Sequence, residues 1–350
     1  PGGQLQTIWP ALGARRVAGP PIRYRRERWD TPDGDFVDVD WLDNAAPAAE
    51  AATETATGPA AKAAPGNPSG AGAGRSSQPL LVLFHGLEGS SRSHYAQALA
   101  GWVRAQGVAL AVPHFRGCSG ALNRAPRAYH CGDFTEIGWL LQRFHAAQQA
   151  RGGGPLLAVG VSLGGNALLR WAGEAGAEAA RTVQAVAGVC APLDMAASGH
   201  AIGRGFNRQV YTRMFLRTMK AKARAKLAQY PGLFDARRLT AARDLYEFDD
   251  VFTAPLHGFA GVDDYWCRGS AKPYLGAVRV PALVLNARND PFVPADSLPR
   301  PDEVSRHVTL WQPAQGGHVG FAEGRWPPGD VHWLPEAVGG WLLAAAGLGA

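Results

Sequence analysis

The stretch Leu156-Leu157-Ala158-Val159-Gly160-Val161-Ser162-Leu163-Gly164-Gly165-Asn166 runs from a short apolar strand through an abrupt turn into a helix, with a lone serine at the turn between two glycines. A serine whose backbone is strained in this way pushes its hydroxyl out over the edge of a sheet. Bulky residues two positions to either side would clash, and Gly160 and Gly164 remove that clash. The pattern is that of a nucleophile elbow, which requires a strand before it and a helix after it; both are present.

A serine hydroxyl is a poor nucleophile at neutral pH. It needs a histidine base, and the histidine needs a carboxylate to hold its tautomer and stabilise the imidazolium. Asn286-Ala287-Arg288-Asn289-Asp290-Pro291 follows the apolar run Ala282 to Leu285, so Asp290 is expected at the carboxyl end of a buried strand, where open α/β sheets hold their ligands. Asp249, Asp250, Asp263 and Asp264 are competing carboxylates, and Asn-Asp-Pro is also a turn signature. Gly316-Gly317-His318-Val319-Gly320-Phe321 follows the next strand, with glycines that let a loop carry His318 back over the serine. The catalytic expectation is Ser162, Asp290 and His318, in that chain order. A tetrahedral oxyanion needs two backbone N–H donors, expected at Leu163, directly after the nucleophile, and at Leu87 in His85-Gly86-Leu87.

Outward from the elbow, strands alternate with helices. Buried runs are Leu80 to Phe84, Val108 to Val112, Val183 to Val189, Ala282 to Leu285 and Val308 to Trp311; helices are expected from about Ser93 to Ala105, Phe134 to Gln149, from Leu163 onward, and Leu334 to Leu343. This order predicts an α/β fold with a mostly parallel sheet and helices on both faces. Ile22 to Trp29 and Phe36 to Trp41, joined through Pro32-Asp33-Gly34, predict an antiparallel hairpin at a sheet edge. Gln4 to Pro10 has no assignable pattern. Residues 44–78 are almost entirely Ala, Gly, Pro, Thr and Ser and predict a disordered insertion within a single domain spanning residues 1–350. Pro192 to Gly276 interrupts the alternation with helix formers and predicts a helical lid.

In the motifs HGLEGSS, FRGCSG, GVSLGGN, NARNDPFVP and GGHVGF, together with QTIWP near the start, the chain resembles the YheT-like family of α/β-hydrolases. The resemblance covers nearly the whole chain except residues 44–78. It implies a serine carboxylesterase whose relatives act on fatty-acyl esters and phospholipids, and it places nucleophile, acid and base on Ser162, Asp290 and His318. Gln4 stands where the family often has histidine, and Cys131, in YHCGDFTE, where it often has serine.

Composition narrows the function classes. The four cysteines, Cys118, Cys131, Cys190 and Cys267, form no C-x-x-C pair, which argues against a zinc site or disulfide scaffold and fits a reducing cytoplasm. No cofactor and no metal is expected; His85 and His114 stand at strand ends but suggest no ligand set. The net charge of +6 is local: from Arg204 to Arg238, ten Lys or Arg face one acid, Asp235. On the helix expected there, Arg213, Arg217, Lys220 and Arg224 form a stripe beside Val210, Tyr211, Met214, Phe215 and Met219. This stripe reads as a solvated face, with weak contact to an anionic membrane surface as the alternative. Nucleic acid is not expected, since no recognition motif accompanies the charge. The expected function is serine-dependent cleavage of a small acyl ester or lipid ester. Transfer of the acyl group to an alcohol, and non-catalytic binding of anionic lipid, are the alternatives. The lid is expected to roof an apolar acyl channel with Met214, Phe215, Leu216, Tyr265 and Trp266, the basic run ringing its mouth.

Overall fold

The apolar runs become the centre of one eight-stranded sheet. The computed structural model describes residues 2–14, 20–43, 78–324 and 329–349; the expected insertion, apart from Gln78, lies outside them. In chain order the sheet and its helices are α1 (Gly3–Leu12), β1 (Tyr24–Asp30), β2 (Phe36–Leu42), β3 (Leu80–Phe84), α2 (His94–Ala105), β4 (Ala109–Pro113), α3 (Phe134–Ala150), β5 (Leu156–Val161), α4 (Leu163–Ala175), β6 (Ala185–Val189), α5 (Met195–Ile202), α6 (Arg213–Gln229), β7 (Ala282–Leu285), β8 (Val308–Trp311) and α7 (Trp333–Ala345). The strand order is β1-β2-β4-β3-β5-β6-β7-β8. β1 and β2 pair antiparallel, as does β2 with β4, and the remaining pairings are parallel.

Successive residues of a strand face opposite sides of its sheet, and here that alternation sorts the interior into two cores. Leu80, Val82, Phe84, Leu156, Ala158 and Val284 pack with α3 and α4, through Ile137, Leu140, Phe144 and Leu168. Leu81, Leu83, Leu157, Val159 and Leu285 pack on the other face with Leu99 and Val103 of α2 and Val338 and Leu342 of α7. Strands buried on both faces explain why their sequences are continuously apolar. The segment expected to form a lid is helical, built on α5, α6 and shorter turns between β6 and β7.

The hairpin lies at the sheet edge as its alternation implies, but the carboxylates of β2 are not solvent-facing. Asp38 and Asp40 are 2% and 3% exposed. Register sets Arg28 opposite Asp38 and Arg26 opposite Asp40, with two hydrogen bonds in each pair. Asp40 also accepts from Ser91 and His114, and Asp35 from Arg116 and Asn123. Burial pushes these carboxyls upward, but the hydrogen bonds from Arg26, His114 and Ser91 outweigh it and hold Asp40 far below the usual carboxylate range. Asp35 and Asp38 are lowered as well, and Asp33 falls to about 2. A carboxyl whose folded pKa lies below its unfolded value stabilises the fold above the unfolded pKa, and this stabilisation is lost as pH falls through the folded pKa. The hairpin should therefore hold above about pH 4 and loosen below it. The emission of Trp29 and Trp41, which pack with Phe144, reports this in an acid titration, and Asp40→Asn should move the transition toward neutral pH. Loosening already complete above pH 5 would contradict the assignment.

Candidate active site

β5 ends at Val161, and Ser162 takes φ 52°, ψ −120° before α4 begins. The close packing of the elbow explains its glycines. A Cβ on Gly160 would lie 2.3 Å from the Gly164 carbonyl oxygen, and one on Gly164 would lie 2.4 Å from that of Phe84. The two glycines thus clear room against each other and against β3, while Ser162 itself carries the strain. All five non-glycine residues with positive φ among the described residues, Glu88, Ser162, Cys190, Val319 and Phe321, belong to the loops that build this site. Such concentration of strain is characteristic of functional sites.

The three expected side chains meet. Ser162 Oγ is 3.0 Å from His318 Nε2, and His318 Nδ1 is 2.8 Å from Asp290 Oδ2. Accepting from Nδ1–H, the carboxylate leaves Nε2 as the acceptor facing the serine. The other oxygen of Asp290 accepts the N–H groups of Phe292 and Val293, so the buried carboxylate is fixed from two sides. The competing acids are engaged elsewhere: Asp249 with Thr253 and Trp266, Asp250 with Arg238, Asp263 with Tyr246 and Asp264 with Arg268.

The N-terminal stretch without an assignable pattern is helix α1, and it braces the histidine loop. Thr7 Oγ1 accepts the His318 N–H at 2.9 Å, and Gln6 Oε1 accepts from Gly316 N–H and Asn289 Nδ2. A Cβ on Gly320 would lie 1.8 Å from the Gln6 carbonyl oxygen. The glycines around His318 therefore admit α1 as well as turning the loop.

In the loop after β3 the amide neighbours are already occupied. Gly86 N–H donates to Tyr95 Oη at 2.8 Å and Glu88 N–H to Tyr129 Oη at 3.0 Å. Among the described residues Leu87 N–H has no acceptor, and Leu163 N–H, first in α4, has none within its helix. Two free amides thus border the serine at the expected positions. Tyr129 Oη donates to Glu88 Oε1, which also accepts from Lys222 of α6. The sequence predicts no role in the site for Tyr95, Tyr129, Glu88, Lys222, Gln6 or Thr7, although Gln6, Thr7, Tyr129 and Glu88 lie within the quoted motifs; their spacing does not show what they touch.

His85 is a satisfied interior histidine: Nδ1–H donates to Gly86 O, Nε2 accepts from Phe115 N–H, and burial pushes its pKa down to about 3. Cys190 Sγ lies within 4.8 Å of ligand atoms of Asp290 and His318. The trio does not suit a metal, because burial holds the thiol protonated and both other groups are committed to the serine relay. Burial likewise raises Cys118 to about 11 and Cys131 to about 12, as for small interior hydrophobes.

Over the serine opens an outer cavity of about 550 Å³ that includes Ser162, His318, Ile8, Leu12, Val210 and Met214 on its wall. An inner cavity of about 90 Å³ meets it across Leu87, Glu88, Leu163, Met195 and Leu245. The expected lining needs correction. Met214 and Phe215 do line the outer cavity, but Leu216 is buried in a separate cluster, Tyr265 borders the inner cavity, and Trp266 packs in the core with its indole on Asp249. The basic run does not ring the mouth: among the described residues no Lys or Arg stands on the outer cavity's wall. Lys222 turns inward to Glu88, and the buried Lys226 donates to Asn123 O, Ala125 O and Gln229 Oε1. Arg204, Arg213 and Arg217 stay exposed.

Residues 79–325 match the alpha/beta hydrolase fold family. The chain is 36% identical to YheT of Escherichia coli K12, over 97% of this chain and 89% of that protein. It is 28% identical to phospholipase ABHD3 of mouse, over 88% of this chain and 69% of that protein. Among solved structures, an esterase of Pyrococcus furiosus superposes with a TM-score of 0.51 at 14% identity, over 95% of this chain and 97% of that one. A puromycin-hydrolyzing peptidase of Mycobacterium tuberculosis gives 0.56 at 18%, over 95% and 42%. With a strand–serine–helix turn at the centre of a mostly parallel sheet and these similarities along nearly its whole length, the chain belongs to the α/β-hydrolase family, in its YheT-like esterase branch.

Proposed function

We propose that this chain cleaves carboxylic esters through an acyl-enzyme on Ser162. The observation that carries the reading is the unbroken hydrogen-bonded series Ser162–His318–Asp290 on the floor of a largely apolar cavity. His318 Nε2 takes the Ser162 hydroxyl proton as Oγ attacks the ester carbon. The oxyanion that forms is met by the N–H groups of Leu87 and Leu163. Asp290 stabilises the imidazolium, which then protonates the departing alkoxide. Water repeats the sequence on the acyl-enzyme, the proton again passing through His318. An alcohol in the place of that water would give transfer, and product partition in ethanol–water mixtures distinguishes the two.

The substrate class this supports is an acyl ester with apolar parts, lipid esters included. Leu12, Phe206, Val210 and Met214 are exposed at or beside the outer cavity. Arg213 directly precedes Met214, Arg217 follows it by three residues and Arg204 precedes Phe206 by two, and all three pair with no carboxylate among the described residues, which supports weak contact with an anionic lipid surface. The four cysteines are unpaired, in keeping with a reducing cytoplasm. No helix among the described residues is long and apolar enough to cross a membrane.

A fluorophosphonate should label the protein once, on the peptide holding Ser162, and a p-nitrophenyl ester should then cease to be hydrolysed. Hydrolysis that survives full labelling, or labelling elsewhere, would overturn the mechanism. Given the ester in neutral and in anionic vesicles, the unlabelled enzyme should favour the anionic ones at low salt and lose the preference at high salt. Equal rates at both salt concentrations would remove the lipid-surface contact.

A further inference from the structure

We propose that the inner cavity is the acyl subsite and the outer cavity the alcohol subsite, so that the inner cavity sets the length of acyl chain accepted. This rests on the serine mechanism above. His318 must protonate the leaving alkoxide, so the alcohol has to stand beside His318. His318 and Ser162 lie on the wall of the outer cavity and not on that of the inner one. The oxyanion points at Leu87 and Leu163, which belong to both walls. Of the substituents on the tetrahedral carbon, the acyl chain alone remains unplaced. The space left for it is the inner cavity, which meets the outer one across Leu87, Leu163, Met195 and Leu245 and does not have His318 on its wall.

The inner wall suits an alkyl chain. Its charged side chains already have partners: Glu88 and Lys222 in each other, Arg116 in Asp35 and Glu136, Arg127 in Asp133. Lys226 is held by two carbonyls and Gln229, and Asp249 by Thr253 and Trp266. Leu122, Met219, Phe248 and Phe252 line the inner cavity and not the outer one, and we take them as its end. A cavity of about 150 Å³ takes a benzene ring, so one of about 90 Å³ has room for roughly four carbons beyond the ester carbonyl. Met219 is the adjustable part of that end, being only partly buried and unbranched.

The test uses p-nitrophenyl esters from acetate to dodecanoate, and a second series of acetate esters with lengthening alcohols. In the wild type kcat/KM should rise about fourfold per methylene and stop rising near an acyl group of about five carbons, the carbonyl carbon included. Met219→Ala should move that break to longer chains and Met219→Trp to shorter ones; Leu122→Trp shortens it from a different loop should either Met219 variant fail to fold. None of these should change the slope of the alcohol series, whereas Met214→Ala, on the outer wall, should change that slope and not the acyl break. Fluorophosphonate labelling of Ser162 in each variant separates the two levels: without labelling the mechanism fails, and with labelling the subsites are on trial. An acyl series that climbs unbroken to dodecanoate, or a break that follows Met214 and not Met219, overturns the assignment.

Discussion

Ser162→Ala should lower kcat/KM by a factor on the order of 10⁴ to 10⁶ while leaving the fold unchanged. The substitution removes the atom proposed to bond the acyl carbon, and among the described residues no other nucleophile stands at hydrogen-bond distance from His318 Nε2. It removes little else. Ser162 is half-buried, among the described residues its hydroxyl bonds only His318, and alanine bears the same left-handed backbone at the same cost. Stability should therefore stay within about 0.5 kcal/mol of wild type. His318→Ala should be nearly as damaging, and the double variant hardly worse than either, because residues acting through one proton path do not contribute independently. The measurement is steady-state hydrolysis of a p-nitrophenyl ester alongside thermal unfolding. Activity near wild type in Ser162→Ala would move the chemistry to another site, and additive losses in the double variant would mean that serine and histidine do not act on the same proton.

How much of this was visible beforehand depended on the range of the interaction that gives a residue its role. The elbow was legible because strand, turn and helix are local and the glycines report a local steric need. Asp290 and His318 were legible because each follows a buried strand in a fixed chain order. Helix α1 was not: its value lies in Gln6 and Thr7 reaching residues 289–318, contacts between the two ends of the chain. Tyr95 and Tyr129 were hidden for the same reason, since occupying the amides of Gly86 and Glu88 leaves no periodic trace. Lys222 and Lys226 misled in the opposite direction. Both belong to the basic run from Arg204 to Arg238, where charge is ordinarily solvated, but Glu88 and a set of carbonyl oxygens draw these two inward. With them went the expected ring of charge at the mouth. Leu216 and Trp266 directly follow the cavity residues Phe215 and Tyr265 yet face clusters behind them, a distinction that sequence adjacency does not contain.

Gly164→Ala should damage stability and turnover together, through a single displacement. Gly164 lies in the first turn of α4, where a Cβ would stand 2.4 Å from the carbonyl oxygen of Phe84 and 2.5 Å from that of His85. Both are backbone atoms at the end of β3, so no side chain can rotate away, and reaching ordinary contact requires the helix start and the strand end to separate by roughly 1 Å. Leu163 rides on that helix start and Leu87 on the loop leaving that strand, so the two free amides would part by a similar distance. Overpacking of this kind costs about 1–3 kcal/mol, and a misplacement of about 1 Å in reacting geometry lowers turnover about 10²-fold. Because the amides meet a charge that exists only in the transition state, kcat should fall while KM changes little. Gly340→Ala supplies the contrast: a Cβ there meets nothing within 4 Å inside α7, so it should leave turnover alone and raise stability by about 0.4–1 kcal/mol. Should Gly164→Ala raise KM at constant kcat, or unfold no earlier than wild type, the amides of Leu87 and Leu163 would not be held by the packing of α4 against β3.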